Sequence, residues 1–245
     1  KIKINFKISD YLIYILLATV CDVMPLRKLN RIIALNVLKN FDFTKNEVFN
    51  VLFSKNNKKN KLNINDLGYL IGPILNAGGR LGKSNYASEL LSSNNIDIIN
   101  KRSNNLIEMN EKRKKIETLT INEIDFNFIL KENKDVIIYF NSTINEGLIG
   151  IIAARLKEYF NKPSIVITNS GKDLKGSARS IYSYNIGRVI KNSLDKRIIL
   201  NGGGHNMAAG FTLNRVNLKD FKEFILKDFL KKMTIINFSS FYDTE

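Results

Sequence analysis

The apolar residues in the first half of the chain fall in blocks that predict helices separated by polar loops. A nearly continuous apolar stretch at 11–23, YLIYILLATVCDV, is typical of an element buried on both faces. The spacing of apolar positions predicts helices at 30–40 and from Asn85 onward. The segment 54–63, SKNNKKNKLN, has no apolar periodicity and is predicted to be an exposed loop.

The second half adds a strand, helix, strand pattern. Residues 104–124 predict a long helix whose charges lie three and four positions apart, which suits an exposed connector between two lobes. A strand at 136–140, a helix at 148–160 and a strand at 164–168 form the βαβ signature of an α/β domain. An amphipathic helix is predicted at 218–233. The predicted fold class is therefore α/β.

Composition limits the classes of protein to which the chain can belong. Its 245 residues are 44% hydrophobic and 25% charged, which is typical of a globular protein and excludes a disordered chain or a small disulfide-bonded scaffold. Cys21 is the single cysteine and no Cys/His cluster has zinc spacing, so we expect a reducing, cytoplasmic environment. The apolar run at 11–20 is shorter than the ~20 residues of a spanning helix, so we interpret it as a buried element and expect no insertion into a membrane.

The net charge of +15, from 38 basic and 23 acidic residues, favours a polyanionic partner such as nucleic acid or an anionic membrane surface. The sequence is also rich in Lys, Asn and Ile, a composition that drift in an AT-rich genome produces without any binding function. Charge alone therefore leaves nucleic-acid binding as an open hypothesis.

The segment GSARS at 176–180 is the first candidate for chemistry. Its small residues allow a ligand close to the backbone, Ser177 offers a hydroxyl, and the Arg179 guanidinium matches the geometry of a phosphate. The pattern fits a clamp for a phosphate or a nucleic-acid end, but taken by itself it is more typical of a polar strand edge with an exposed arginine.

A second candidate is the glycine-rich segment NGGGHNMAAGF at 201–211. It places Gly203 and Gly204 beside His205, the only histidine of the chain. A glycine-rich loop whose N–H groups face an anion would make a phosphate cradle. A turn that leads into a helix is the alternative.

Two further segments of the first half hold polar residues in apolar surroundings. In GPILNAGGRLG at 72–82 the glycines predict a turn, while Asn76 and Arg80 supply hydrogen-bonding groups. Asp22 ends the first apolar run, where a buried carboxylate is costly unless it is paired, caps a helix or binds a metal.

Taken in order, these segments resemble the RecJ single-strand-specific exonucleases of the DHH phosphoesterase superfamily. The resemblance covers most of residues 10–215. It rests on collinear motifs: ATVCDVMPL at 18–26 with Asn30 and Arg31, GPILNAGGRLG against the family's GPRxNAxGRLG, Asn110 with Arg113, GLIGIIAARLKEYFNKPSIVI, GSARS and GGGHNMAAGF.

The resemblance implies a metal-dependent, two-lobed 5′-to-3′ exonuclease that degrades single-stranded DNA in repair and recombination. A DHH lobe holds two Mn²⁺ or Mg²⁺ ions, and a DHHA1 domain grips a strand that carries a 5′-phosphate. By position, Asp22 corresponds to a metal ligand, Ser177 and Arg179 to residues that bind the 5′-phosphate, and His205 to the imidazole of the DHHA1 glycine loop. Asn76 and Arg80 fall in the motif that faces the substrate.

The chain also departs from the family pattern. The Asp-rich motifs and the DHH triplet are absent, Ile74 stands for an arginine, and Ile144-Asn145 stands for Trp-His. We therefore expect an internal portion of such an exonuclease that is inactive alone. The expected division is the tail of a DHH lobe at 1–50, connecting helices at 51–125, DHHA1 at 126–215, and a C-terminal helix with the start of a truncated OB-fold at 216–245.

Two alternatives stay open from the sequence. One is a DHH/DHHA1 phosphodiesterase for short oligonucleotides or cyclic dinucleotides, which would share mainly the last third of the chain. The other is a non-catalytic nucleic-acid-binding remnant of the exonuclease, which the substitutions at Ile74, Ile144 and Asn145 would fit.

Overall fold

A computed structural model describes residues 7–59, 61–132 and 135–242 of the chain. Two compact units are present, Lys1–Lys114 and Lys115–Glu245. The first is helical and the second contains a five-stranded sheet with helices on both faces, which confirms the predicted α/β class. The four-part division expected from the sequence stays a prediction.

The first unit is a set of short helices around an aromatic and aliphatic core. Its centre includes Phe49, Phe53, Leu67 and Ile71, all fully buried. The helices are α1 Leu12–Cys21, α2 Lys28–Asn40, α3 Glu47–Lys55, α4 Gly72–Arg80 and α5 Asn85–Ser92, followed by α6 Ile96–Asn122, which contains the division point between the units.

The expectation that the first apolar run is buried on both faces is wrong. The run forms α1, and Ile13, Leu16 and Leu17 are buried at helical spacing whereas Ile15 is 44% exposed. A continuous apolar sequence hides this one-sided burial because helical packing selects positions three and four apart.

The glycine-rich segment at 72–82 is a helix over most of its length, and the predicted turn is limited to its end. A Cβ atom at Gly72 would lie 2.7 Å from the Cys21 sulfur, and one at Gly78 would lie 2.5 Å from the Lys83 carbonyl oxygen. Close packing therefore requires these glycines. Only Gly82 of this segment has a positive φ, 81°.

The long helix α6 starts at Ile96, earlier than the expected residue 104. The side-chain oxygen of Asn95 accepts hydrogen bonds from the backbone N–H groups of Asp97 and Ile98, which is how an N-cap begins a helix. Asn110 and Glu117 are buried, so this helix is less exposed than its charge pattern suggested.

The second unit is built on a mixed sheet with the strand order β1-β2-β3-β5-β4. β1 and β2 are parallel and are joined by helix α8, as the βαβ pattern predicted, whereas the other neighbouring strands are antiparallel. The strands are β1 Ile137–Phe140, β2 Ser164–Ser170, β3 Asp173–Arg179, β4 Asn201–His205 and β5 Ala208–Leu213. The helices are α7 Phe126–Glu132, α8 Ile149–Phe160, α9 Ile186–Asp195 and α10 Leu218–Tyr242.

Two separate apolar cores flank this sheet. On one face α8 packs Ile152 and Leu156 against Val166 of β2. On the other face α9 and α10 cover Ala178 and Phe211. Within the described ranges, none of the helices combines the length and the apolar character that crossing a membrane requires.

Candidate functional site

The GSARS segment lies in the middle of the sheet. β3 is hydrogen-bonded to β2 on one side and to β5 on the other, so the alternative of a polar strand edge is wrong. Because side chains alternate along a strand, Ser177 and Arg179 point away from Ala178, which is buried under α9 and α10. The polar pair therefore lies on the α8 face of the sheet.

Strand register extends this polar face across three strands. Arg179 lies opposite Ala208, and Ala208 lies opposite His205. Ser177 lies opposite Gly210, which in turn lies opposite Gly203. Residues that face each other across paired strands point to the same side. Ala208, Gly210 and Gly203, here called the small-residue strip, thus form a floor between Ser177 and Arg179 at one side and His205 at the other.

Packing does not explain the glycines of the small-residue strip. A Cβ atom at Gly203 would meet nothing within 4 Å, and one at Gly210 would meet only the Gly176 carbonyl oxygen at 3.9 Å. By contrast, a Cβ atom at Gly204 would lie 2.3 Å from the Ala208 carbonyl oxygen. Gly203 therefore leaves open space for a ligand, whereas Gly204 is required by the fold.

The segment 201–211 is a β-hairpin, so the expected glycine loop or helix-entry turn is wrong. β4 and β5 pair directly, and the positive-φ glycines of the described chain, Gly82 and Gly171, lie elsewhere. Consecutive glycines are a turn signal in sequence. Here they occupy an edge strand next to a row of small residues.

Arg179 is a half-buried cation next to the start of a helix. Its guanidinium donates hydrogen bonds to the Ala178 carbonyl oxygen at 2.9 Å and to the Ser177 hydroxyl oxygen at 3.3 Å. Burial lowers the pKa of Arg179 below its ordinary value, yet arginine keeps its proton at neutral pH. No carboxylate among the described residues forms an ion pair with it.

Gly150 brings the first turn of α8 against this cation. A Cβ atom at Gly150 would lie 3.0 Å from Nη2 of Arg179 and 3.1 Å from Oγ of Ser177. α8 has no side-chain N-cap, and the N-terminus of a helix carries a partial positive charge. Two positive groups thus lie together with a hydroxyl donor and no described carboxylate, which is an arrangement suited to an anion.

His205 lies at the far end of the small-residue strip and is exposed. Its Nδ1 accepts a hydrogen bond of 3.4 Å from the backbone N–H of Met207. It also lines a cavity of about 500 Å³ with Lys191 of α9 and the glycines of β4.

The candidate residues of the first unit are described within that unit alone. Asp22 is the C-cap residue of α1, as the helix-cap alternative expected, and its side chain is exposed. Asn76 and Arg80 lie one turn apart on α4, the former exposed and the latter half-buried.

The metal implied by the family does not fit the residues at hand. In the part of the chain that the structure describes, no three His, Cys, Asp or Glu side chains come together as metal ligands. One carboxylate at Asp22 cannot hold the two divalent ions of such a centre.

Sequence reasoning found Ser177, Arg179, Gly203 and His205, which the structure places on one face, but it missed Gly150 and Gly210. Gly150 carried a signal, since glycine inside a predicted helix is unfavourable and implies a close approach. No sequence pattern singled out Gly210, because its role depends on which residues pair with it in the sheet.

Comparisons with known proteins show what the chain is similar to. Residues 133–232 match the family model of the DHHA1 domain. The chain is 31% identical over 226 residues to the single-stranded-DNA-specific exonuclease RecJ of Escherichia coli, covering 88% of this chain and 39% of that protein. Its identity to Bacillus subtilis RecJ is 29% over 210 residues, which is 84% of this chain and 26% of the relative.

Solved structures support the same fold. The crystal structure of RecJ from Thermus thermophilus in complex with Mg²⁺ matches with a TM-score of 0.77 at 22% identity, over 91% of this chain and 35% of that one. A crystal structure of exonuclease RecJ bound to manganese matches with a TM-score of 0.68 at 22% identity, over 89% of this chain and 54% of that one. The chain spans about two fifths or less of the curated relatives named above. The chain is therefore similar to the RecJ exonucleases over most of its own length, and its residues 133–232 match the DHHA1 domain.

Proposed function

We propose that the DHHA1 domain of this chain binds the 5′-phosphate end of single-stranded DNA, as the substrate-gripping part of a single-strand-specific 5′-to-3′ exonuclease of repair and recombination. The observation that carries this proposal is the position of Arg179 and Ser177 against the first turn of α8, with no described carboxylate in an ion pair with the arginine. A terminal phosphate supplies the missing negative charge.

The binding chemistry follows from the donors on the α8 face. A guanidinium donates two parallel hydrogen bonds to a phosphate, and the Ser177 hydroxyl and the start of α8 add further donors and positive potential. Partial burial strengthens these interactions because water screens them less. A terminal phosphate also carries more negative charge than an internal diester, which favours the strand end.

The small-residue strip supports a single strand as the ligand. Gly203 and Gly210 leave the backbone of β4 and β5 uncovered by side chains. Single-stranded DNA can therefore approach closely between Arg179 and His205. Two relatives named above carry single-stranded DNA in their descriptions. His205 lies where it can donate to a phosphate or a base beyond the end.

Hydrolysis is proposed for the complete exonuclease and not for the described residues. Two solved relatives are described with Mg²⁺ or Mn²⁺, and such ions supply the hydroxide nucleophile in two-metal phosphodiesterases. Because the described residues offer no matching ligand set, we assign this chain the binding and orientation of the strand.

The RecJ-like reading is preferred over a small-substrate phosphodiesterase because the similarity extends over 84% or more of the chain in two RecJ relatives. The smaller enzymes were expected to share mainly the last third. A non-catalytic remnant would use the same α8 face, so the binding site is common to both readings.

Fluorescence anisotropy of the 245-residue chain tests the proposal. Labelled single strands that differ only in a 5′-phosphate or a 5′-hydroxyl are titrated at two salt concentrations. We expect tighter binding of the phosphorylated strand and weaker binding at high salt, because phosphate neutralisation releases counterions. Equal affinities for the two strands, with the protein folded, would contradict the end-binding assignment.

A further inference from the structure

A basic groove lies on the opposite face of the sheet from Arg179, between α9 and α10. It encloses about 770 Å³. Its charged lining comprises one acidic residue, Asp228, and five basic residues: Arg188, Lys196, Lys227, Lys231 and Lys232. We call it the α9–α10 groove.

Ion pairing leaves part of this charge uncompensated. Arg188 pairs with Asp228 at 2.8 Å, and Lys227 approaches Glu223 at 3.7 Å. Within the described ranges, Lys231 and Lys232 form no ion pair. The groove thus carries an excess of positive charge that the fold itself does not use.

An aromatic side chain lines the same groove without taking part in the core. Tyr182 is 100% exposed, whereas Tyr184, two residues later, is fully buried. Lys196 is also associated with a ring, since its Nζ lies 5.1 Å from the centre of the Phe224 ring. Bare aromatic rings beside unpaired cations are typical of surfaces that bind single-stranded nucleic acid, where bases stack and phosphates meet the cations.

The groove continues along α9 towards the edge strand β4, which ends at His205. The cavity of about 500 Å³ beside His205 shares Asn185 and Arg188 with the α9–α10 groove, and it adds Lys191. A basic path therefore runs along α9 from the edge strand β4 to α10. A path of this kind suits an extended polyanion better than a small anion.

We propose that the α9–α10 groove binds a segment of single-stranded nucleic acid, with phosphates at Lys231 and Lys232 and one base stacked on Tyr182. The inference extends the proposed function to a second part of the strand. Its test uses strands with a 5′-hydroxyl, so that its failure can be distinguished from failure of the end-binding proposal.

The first measurement is the affinity of the full chain for a labelled 5′-hydroxyl oligothymidylate as a function of salt. We expect Lys231→Gln/Lys232→Gln to weaken binding at least about fivefold at low salt and to reduce the salt slope by about 2. Lys219→Gln/Lys222→Gln is the matched control, because it removes the same charge from the same helix outside the groove. The control should change affinity by much less.

The second measurement isolates the base contact. Tyr182→Ala should weaken single-strand binding at least about fivefold, whereas Tyr182→Phe should bind like the parent chain, since stacking needs the ring and not the hydroxyl. Binding of a duplex, whose bases are already stacked, should not respond to Tyr182→Ala. Tyr69→Ala is the control for loss of an exposed ring elsewhere, as Tyr69 is 84% exposed.

Equal losses in the two lysine pairs, together with an unchanged affinity of Tyr182→Ala, would overturn the proposal and leave only diffuse charge attraction. Circular dichroism checks that every variant is folded. The ratio of affinities for 5′-phosphate and 5′-hydroxyl strands should be unaltered in the groove variants. If the parent chain bound the 5′-phosphate and 5′-hydroxyl strands equally, that result would contradict the end-binding site and not the groove.

Discussion

At the scale of single residues, Arg179 shows what a sequence can and cannot predict. The residue types in GSARS were sufficient to nominate Ser177 and Arg179, because hydroxyl and guanidinium groups suit a phosphate. The contact with Gly150 depends on how α8 packs on β3, which no local pattern encodes. Asp22 ends α1 as its C-cap, as the helix-cap alternative expected, although the apolar sequence around it did not mean burial.

Tyr184 provides a prediction at this scale. No hydrogen-bond partner for its buried hydroxyl lies among the described residues, and its ring packs against Phe229. Because Tyr184→Phe keeps the ring and removes an unpaired polar atom, we expect it to raise the free energy of unfolding by about 1 kcal/mol at neutral pH. Tyr139→Phe is the control, since the Tyr139 hydroxyl accepts a hydrogen bond from Asn141. A loss of stability in Tyr184→Phe would mean that the hydroxyl donates to Asp228.

The same residue gives a pH dependence. Burial, and then the Asp228 carboxylate, raise the pKa of Tyr184 above its ordinary value. The folded state therefore holds this proton more tightly than the unfolded state does. The protonated Tyr184 hydroxyl therefore makes its full contribution to the free energy of unfolding below about pH 10, the pKa of tyrosine in the unfolded chain. This contribution is lost as the pH rises further. Urea unfolding at neutral and alkaline pH should show a smaller alkaline loss of stability in Tyr184→Phe than in the parent chain.

At the scale of elements, periodicity predicted more than glycine content did. The βαβ unit was found because strand and helix spacings differ along 136–168. The two glycine-rich segments were assigned to turns, yet they form α4 and the β4–β5 hairpin. In a sequence, a glycine that forms a turn cannot be distinguished from a glycine that allows close packing. Only the neighbouring atoms in the folded structure distinguish the two roles.

The glycines of β3 to β5 give a prediction for the element. A Cβ atom at Gly176 would lie 2.1 Å from the Phe211 ring, so Gly176→Ala should cost about 1–3 kcal/mol of stability. Gly210→Ala and Gly203→Ala point into open space and should change stability by less than about 0.5 kcal/mol. We expect these two variants to weaken strand binding by on the order of 1 kcal/mol, because the added methyl group occupies the floor of the site. Thermal unfolding and anisotropy measure the two effects separately, and unchanged binding in both strip variants would argue against the small-residue strip as the floor.

At the scale of the whole molecule, the chain covers only part of the length of its relatives. Its described residues contain no group of side chains that could hold a metal ion. We therefore expect strand binding that is the same with about 1 mM Mn²⁺ and with chelator, and no release of nucleotides from a labelled single strand. The reason is that Arg179, Ser177 and the strip contain no metal ligand of their own. Nucleotide release that requires Mn²⁺ and disappears in Asp22→Ala would contradict this expectation.

Net charge belongs to the same scale. A charge of +15 attracts any polyanion, so affinity alone cannot identify the site. A difference in affinity between two DNA strands of nearly equal charge can identify the site.

The most direct test of the account is therefore the ratio of affinities for 5′-phosphate and 5′-hydroxyl strands in Arg179→Ala and in the parent chain. The account predicts that Arg179→Ala weakens binding of the phosphorylated strand by about 1.5–3 kcal/mol, the range for hydrogen bonds to charged groups. Binding of the hydroxyl strand should change little, so the ratio should fall towards one. A folded Arg179→Ala variant that retains the full phosphate preference would contradict the assignment of the α8 face as the end-binding site.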